Sequence, residues 1–283
     1  MQLTIMALNT QYGGRQGADG RPQNRWPGMV DTITGVRPHI LLLQELHGWA
    51  ADPRQQANAE TDLGMRALVA PSPSGGHTAV LFDTALLGWR QFETKYSAAT
   101  HHGFGVAVLH LHEPGLDVPL TVISAHLNPY SAQAAALEAQ LLAGRVNRYG
   151  GVGLIGGDIN HVAPGDPEND WAAVPPYNRS SRCHRRAEPA DPWRANTIVG
   201  ETLRDADLVD VAAHLADTTG DHRYRNPTGH HGGVRVDQFW ITPNLLPALT
   251  GYRQITTPFS DHDAIVATLD TAQLRNVHPH EWE

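Results

Sequence analysis

Six apolar runs in this chain each end in, or enclose, an oxygen or imidazole group. "LTIMALN" stops at Asn9, "HILLLQE" at Gln44 and Glu45, and "LTVISAHLN" at His126 and Asn128. "VGLIGGD" stops at Asp158 with Asn160 two residues on, "VRVDQFW" encloses Asp237, and "SDHD" sets Asp261 and His262 just before a last apolar run. Turns accept Asp or Asn almost anywhere, so one such placement alone decides little. Carboxylates on buried strands are costly unless paired or metal-bound. Strands that bring them together would share that cost through one cation and a hydrogen-bond network. Glu, Asp and amide oxygens are hard ligands, suited to Mg2+ or Mn2+ and not to zinc. Mg2+ keeps waters and takes one or two protein carboxylates, which leaves places for a phosphate oxygen. Two histidines then serve as proton carrier and as charge stabiliser. The chemistry that suits this set is metal-assisted attack of water on a phosphoester.

The elements that must position these groups are strands and helices in mixture. Besides the runs above, "HTAVLFD", "GVAVLHLH" and "AIVATL" read as strands, and several runs are continuous enough to be covered on both faces. Asn24 to Val36 is helical and closed by Pro38, which disfavours helix at the residue before it. Ser131 to Tyr149 is a second helix, with Ser131 as N-cap and Gly150 as C-terminal stop. Glu201 to Asp207 reads as the end of a third. The pattern predicts a layered α/β protein with sheet inside and helices outside. Ala163 to Asn196 and Asp217 to Gly233 read as long irregular segments, which in a compact domain are functional or mobile.

The ordered set "ALN", "LLLQE", "SAHLN", "GGDIN", "RVDQFWIT" and "SDHD" resembles the endonuclease/exonuclease/phosphatase superfamily, which includes deoxyribonuclease I and the abasic-site endonucleases. The likeness runs from about residue 3 to residue 268. It implies a four-layer α/β sandwich, two mixed β-sheets packed face to face with helices outside. It further implies Glu45 as principal metal ligand, Asn9 beside it at the metal or phosphate, and Asp261 next to the metal. Asp158 resembles the acid that orients or activates the attacking water, and Asn160 the amide that holds the phosphate. His262 resembles the proton-handling histidine, Asp237 the acid that orients it, and His126 the stabilising histidine of the deoxyribonuclease and sphingomyelinase branches. Three positions depart from the family pattern. Gln238 stands where many members have tyrosine, and His39 where aspartate is common. "GGHTAVLFD" offers no glutamate to pair with His126.

The chain of 283 residues is long enough to bury roughly three quarters of its unfolded surface as one domain, residues 1–283. Its formal charge of −8 argues against a protein that coats nucleic acid electrostatically, though not against an enzyme. No apolar run approaches the ~20 residues needed to span a bilayer. The amino terminus lacks a signal peptide's basic start, so the expectation is a cytoplasmic protein without an obligate protein partner. Cys183, the single cysteine, excludes intrachain disulfides and cysteine-based zinc clusters; its arginine neighbours could lower its pKa, and the plainer reading is an incidental loop thiol. The "HH" pairs at His101–His102 and His230–His231 and the terminal "HPHEWE" lack the spacing of a zinc motif and read as solvated loops, although His230 and His231 lead toward Asp237.

Substrate is the open question. Arg179, Arg182, Arg185 and Arg186 lie among Trp171, Tyr177 and Trp193 directly after "GGDIN", a mixture that suits a phosphate backbone with stacked bases. A solvated loop explains them equally well, and Asn128 is divided between a turn amide and a substrate contact. Arg15, Arg21 and Arg25 form a second candidate phosphate contact. The leading expectation is a Mg2+-dependent phosphodiesterase acting on nucleic acid. A phosphoesterase of a small molecule or lipid is the alternative, and a non-catalytic binding protein of the same fold the third.

Overall fold

The computed structural model describes every residue except Ala18, His278 and His280 to Glu283, so the two histidines of "HPHEWE" lie outside the described residues. In chain order its elements are β1 (Gln2–Asn9), α1 (Trp26–Val36), β2 (Ile40–His47), α2 (Pro53–Leu63), β3 (Arg66–Ala70), β4 (Gly76–Phe82), β5 (Leu87–Glu93), β6 (Val106–Leu111), β7 (Leu120–His126), α3 (Ala132–Val146), β8 (Gly153–Asp158), α4 (Pro176–Arg182), α5 (Ile198–Asp205), β9 (Val209–Asp210), α6 (Val211–Thr219), β10 (Asp237–Ile241), β11 (Leu249–Ile255) and β12 (Ala264–Asp270).

The strands form two six-stranded sheets, ordered β11-β12-β1-β2-β4-β3 and β5-β6-β7-β8-β10-β9. Each contains one parallel pair, β1 with β2 and β7 with β8, among antiparallel neighbours. Alternation along each strand decides what faces what. In β1, Leu3, Ile5 and Ala7 join Leu42 of β2 and Val122, Leu154 and Phe239 of the other sheet in the core between the sheets. Met6 and Leu8, one position out of phase, pack outward against Trp26, Met29 and Ile33 of α1 and Ala59 of α2. On the other side Ile123, Ile155 and Trp240 meet Ala139 and Leu142 of α3 and Leu203 of α5. Fully burying each such large side chain stabilises the fold by about 1.5–3 kcal/mol. The four-layer α/β sandwich expected from the motifs is therefore observed.

Local chemistry sets the helix ends. Ser131 Oγ accepts from Ala134 N at 3.2 Å to start α3, and Asp210 caps α6 through Ala212 N and Ala213 N. The segments read as irregular hold structure: α4 lies within residues 163–196, and α6 extends into 217–233. No helix among the described residues is long and apolar enough to cross a membrane.

Candidate active site

The inward face of each central strand reads apolar until its last position, where it turns polar. Leu3, Ile5 and Ala7 lead to Asn9; Ile40 and Leu42 lead to Gln44. Leu120 and Val122 lead through Ser124 to His126, and Leu154 leads through Gly156 to Asp158. These endings meet at one edge of the core between the sheets, and Gln44 Nε2 reaches across to Ser124 Oγ at 2.9 Å.

Glu45 should point outward by this alternation, but β2 breaks it. The β2–β4 register shifts between Leu43 and Leu46, and Glu45 adopts a left-handed φ of 58°. Such backbone costs about 1–3 kcal/mol in a non-glycine residue, and a bulge of this kind re-aims a side chain. Its carboxylate turns back to the cleft, where Oε1 accepts from Asn9 Nδ2 at 3.1 Å and Oε2 from Tyr12 N at 2.9 Å. The same Asn9 nitrogen donates to Asp158 Oδ2 at 3.1 Å, so one amide joins acids from both sheets.

In the second sheet His126 pairs with Asp158 across β7–β8, and Asp158 with Asp237 across β8–β10, so three side chains share one rung and one face. The two glycines before Asp158 explain its approach. A Cβ on Gly156 would lie 2.4 Å from the Phe239 ring, and one on Gly157 2.3 Å from Ala125 O, with φ at 134°. His262 enters from the loop before β12. Ser260 Oγ donates to Asn9 O at 2.7 Å, and His262 Nδ1 donates to Asp237 Oδ2 at 2.8 Å, which leaves Nε2 facing Asp158 Oδ2 at 3.8 Å. Asp237 is held in turn by Thr228, whose Oγ1 accepts from its amide.

Asp158 and Asp237 are buried, whereas Glu45 and His262 keep some contact with solvent. Burial pushes the Glu45 and Asp158 carboxyls above their ordinary values; the Tyr12 amide and Asn9 oppose this at Glu45, and His262 and Arg182 oppose it at Asp158. Burial disfavours charge on His262, but Asp237 and Asp158 outweigh it and hold the imidazolium well above its ordinary value. Three carboxylates thus outnumber the His262 imidazolium and the buried Arg182 guanidinium, a negative excess that a hard divalent cation fits. One oxygen or nitrogen each from Asp158, Asp237 and His262 lie within 4.8 Å of one another. Asp237 and His262 are spent on each other, however, so the oxygens of Glu45, Asp158 and Asn9 are the better donor set. Asp261 stands apart, its carboxylate 3.6 Å from His231 Nε2, although its charge, like that of Glu45, bears on the Tyr12 hydroxyl. His230 also flanks the loop, with Nε2 2.9 Å from Asp263 Oδ1.

Several expected roles change. Arg182 is no solvent-facing arm: it is buried, and its Nε donates to Asn160 O at 2.7 Å and its Nη2 to Asn160 Oδ1 at 3.3 Å. Asn160 itself, at φ 64°, commits one amide hydrogen to Leu127 O. Asn128 Oδ1 accepts from Tyr130 N and Ser131 N, a turn that leads into α3. Arg25 is tied to the carbonyls of Phe259, Gln11 and Gln16 instead of awaiting phosphate, and Arg21 pairs with Asp19. Cys183 is buried, and its thiol is pushed up to about 12 by burial, the reverse of activation by its neighbours. His102 is not solvated but packs on His126. Its contribution was hidden because its partner lies far away in sequence. His39 Nδ1 accepts from Thr4 N, and Gln238 Nε2 donates to His161 O, both structural bonds.

Of the remaining arginines, Arg185 and Arg186 line a cavity, and Arg186 is tied to the carbonyls of Pro189 and Asp191. Arg179 and Arg186 approach the Trp193 ring at 5.5 and 3.8 Å, one residue of a cavity of about 900 Å³ also lined by Tyr130, Ser180, His184 and Arg185.

The family model described as the Endonuclease/Exonuclease/phosphatase family matches residues 6–262. Among solved structures, an endonuclease/exonuclease/phosphatase from Bacteroides vulgatus superposes with a TM-score of 0.67 at 11% identity, covering 95% of this chain and 99% of that one. A humanized D. rerio TDP2 gives 0.63 at 14%, with the same coverage. The 3′ phosphatase NExo from Neisseria, bound to a product DNA hairpin, gives 0.63 at 16%, again covering 95% and 99%. At these identities the likeness is one of fold. No curated protein matches the chain.

Proposed function

Because the chain belongs to the Endonuclease/Exonuclease/phosphatase family, we propose that its cleft is a divalent-metal-dependent phosphodiesterase site acting on nucleic acid. The observation that carries this reading is the convergence of Asn9, Glu45, Asp158 and Asp237 from separate strands of both sheets, with His262 from the loop before β12. Asn9 bonds Glu45 and Asp158, His262 bonds Asp237, and the two sets meet on the rung shared by Asp158 and Asp237. The oxygens of Glu45 and Asn9, with Asp158 beside them, would hold Mg2+ or Mn2+, while Asp261, turned toward His231, stands outside this set. Such an ion would lend positive charge to a phosphate oxygen.

The chain's own residues divide the proton work. Asp158 Oδ2 lies among Asn9, His126 and His262, placed to orient a water and take its proton. His262 enters as imidazolium and offers its Nε2 proton to the departing oxygen, while Asp237 holds its Nδ1. His126, whose pKa burial lowers to about 3, stays neutral and donates to the charge that develops on phosphorus-bound oxygen. Asn160 has one amide hydrogen left for the phosphate.

Nucleic acid is favoured by the cavity that carries Arg185, Arg186 and Trp193. Single-stranded, duplex and abasic DNA, RNA and bis(4-nitrophenyl) phosphate, each with Mg2+, Mn2+ or EDTA, test the reading. Expected is metal-dependent cleavage of a polymer, with joint Arg185→Ser and Arg186→Ser substitution raising KM for the polymer more than for the small diester. Turnover of the small diester alone assigns a small-molecule phosphoester instead. No turnover of any of them in the presence of metal overturns the proposal.

A further inference from the structure

His126 is buried at the end of β7 with few bonds to fix its ring. Among the described residues its Nδ1 has no hydrogen-bond partner, and its Nε2 stands 3.5 Å from Asp158 Oδ2. An imidazole tethered on one side can swing about its Cβ–Cγ bond unless packing fixes its plane. The fixing surface is another imidazole: the rings of His102 and His126 have centroids 3.7 Å apart and planes inclined by only 4°.

His102 is itself immobilised. Its Nδ1 lies 2.7 Å from Ser74 Oγ, and His101 packs edge-on against it. The backbone beneath the pair is fastened by one buried carboxylate. Glu138, on α3, accepts from His101 N through Oε1 and from Asn128 N through Oε2, both at 2.7 Å. One of these amides belongs to the turn that carries His102, and the other to the exit of the strand that carries His126.

We infer that His102 and Glu138 are positioning residues for His126, His102 by stacking on its ring and Glu138 by clamping the two backbone segments that bear the pair. The glutamate that "GGHTAVLFD" does not offer is thus replaced by a ring face and by a carboxylate drawn from a helix. The inference rests on the proposed role of His126, but its structural half is measurable without turnover.

The test uses the full chain and three variants, His102→Ala, His102→Phe and Glu138→Gln. Long-range 15N–1H spectra of the histidine rings, with His126 assigned by its loss in His126→Gln, report whether the ring keeps one orientation. Kinetics with bis(4-nitrophenyl) phosphate and Mg2+ separate kcat from KM. In wild type a single neutral His126 tautomer is expected. In His102→Ala the His126 signals should broaden or split, with kcat down roughly tenfold to a hundredfold and KM changed by less than about twofold. The flat ring of His102→Phe should restore one signal and most of kcat, and Glu138→Gln should fall between. An unaltered His126 signal and wild-type kcat in both His102→Ala and Glu138→Gln overturn the inference, as does His102→Phe performing no better than His102→Ala. If His102→Ala does not fold, a retained His126 signal in His102→Phe supports the stack and a lost one rejects it. A wild-type protein inert toward every phosphoester sinks the proposed function, while the spectra still decide the positioning.

Discussion

Arg235 and Asp237 lie two residues apart on the approach to β10, and each anchors a buried ionic cluster. Arg235 donates from Nε and Nη2 to both oxygens of Asp166, and from Nη1 and Nη2 to both oxygens of Asp210. Arg225 adds a further bond to Asp166 at 3.2 Å. Burial works against the Arg235 charge, but the two carboxylates prevail and bind its proton more tightly than water would. This cluster balances itself, and it fastens the segment after β8 to the start of α6. The Asp237 cluster does not balance: Asp158, Asp237 and Glu45 outnumber the His262 imidazolium and the Arg182 guanidinium, and only Glu45 and Asp158 share the amide of Asn9. Equal depth therefore serves opposite ends. One set of charges is complete and structural, and the other is left negative, which is the state that recruits a cation.

The largest expected effect separates the two clusters by function. Asp158→Asn should lower kcat roughly 10²- to 10⁴-fold while raising the urea midpoint of the metal-free protein, because it removes a buried charge yet keeps an oxygen for the Asn160 amide. A lowered midpoint would mean that Asp158 is as well compensated as Asp166. Arg235→Met should do the reverse. It leaves Asp166 and Asp210 buried without their shared partner and should cost about 3–5 kcal/mol, read from the same melts. A loss under about 1 kcal/mol would show that Arg225 and water suffice to satisfy them.

Metal response comes next in size. Mg2+ at a hundred times its Kd should stabilise the wild type by about 2.7 kcal/mol, and Glu45→Gln should abolish the gain. The Arg235 cluster should play no part: any Mg2+ response lost in a mildly destabilised Arg235→Lys would blur the distinction. The smallest effect is on pH dependence. His262, Asp158 and Glu45 all have raised values in the folded protein, so each stabilises it below the unfolded value and loses that contribution as pH climbs through the folded one. Buried His126 and His102, held low, act in the opposite sense below about pH 6.5. The decline should therefore show above about 6.5, where those rings are neutral in both states and His262 alone still loses its proton. Metal-free stability should fall there by an amount on the order of 1 kcal/mol, and Mg2+ should flatten the decline. A rise over that range in chemical melts would contradict the assignment.

Much of the site is legible in the sequence. Asn9, His126, Asp158 and Asp237 end or enter apolar runs, and alternation alone sends them to the inner face with Leu3, Val122, Leu154 and Phe239. Glu45 was recognisable by its motif but not by its phase, because the bulge that redirects it leaves no mark in composition. Arg182 is illegible for a different reason. An arginine among arginines looks solvated until a helix, α4, carries it beneath Asn160. Glu138 looks like one more polar residue of an alanine-rich helix, and His102 like half of a loop doublet. Their purpose depends on partners that only the folded chain brings near. Strands β5 and β11 leave little mark in the sequence because they lie at sheet edges, where one face stays wet and the apolar signal thins.

The shared rung of His126, Asp158 and Asp237 bears on how the protein comes into being. Side chains alternate faces at every step, so a slip of β8 by a single residue would turn Asp158 away from both neighbours at once. The same motion would exchange Ile155, packed under α3, with Leu154, packed between the sheets. Misassembled chains should accordingly lose their packing and their activity together, with no half-competent intermediate. For this molecule, the refolded fraction and the catalytically competent fraction ought to be the same number.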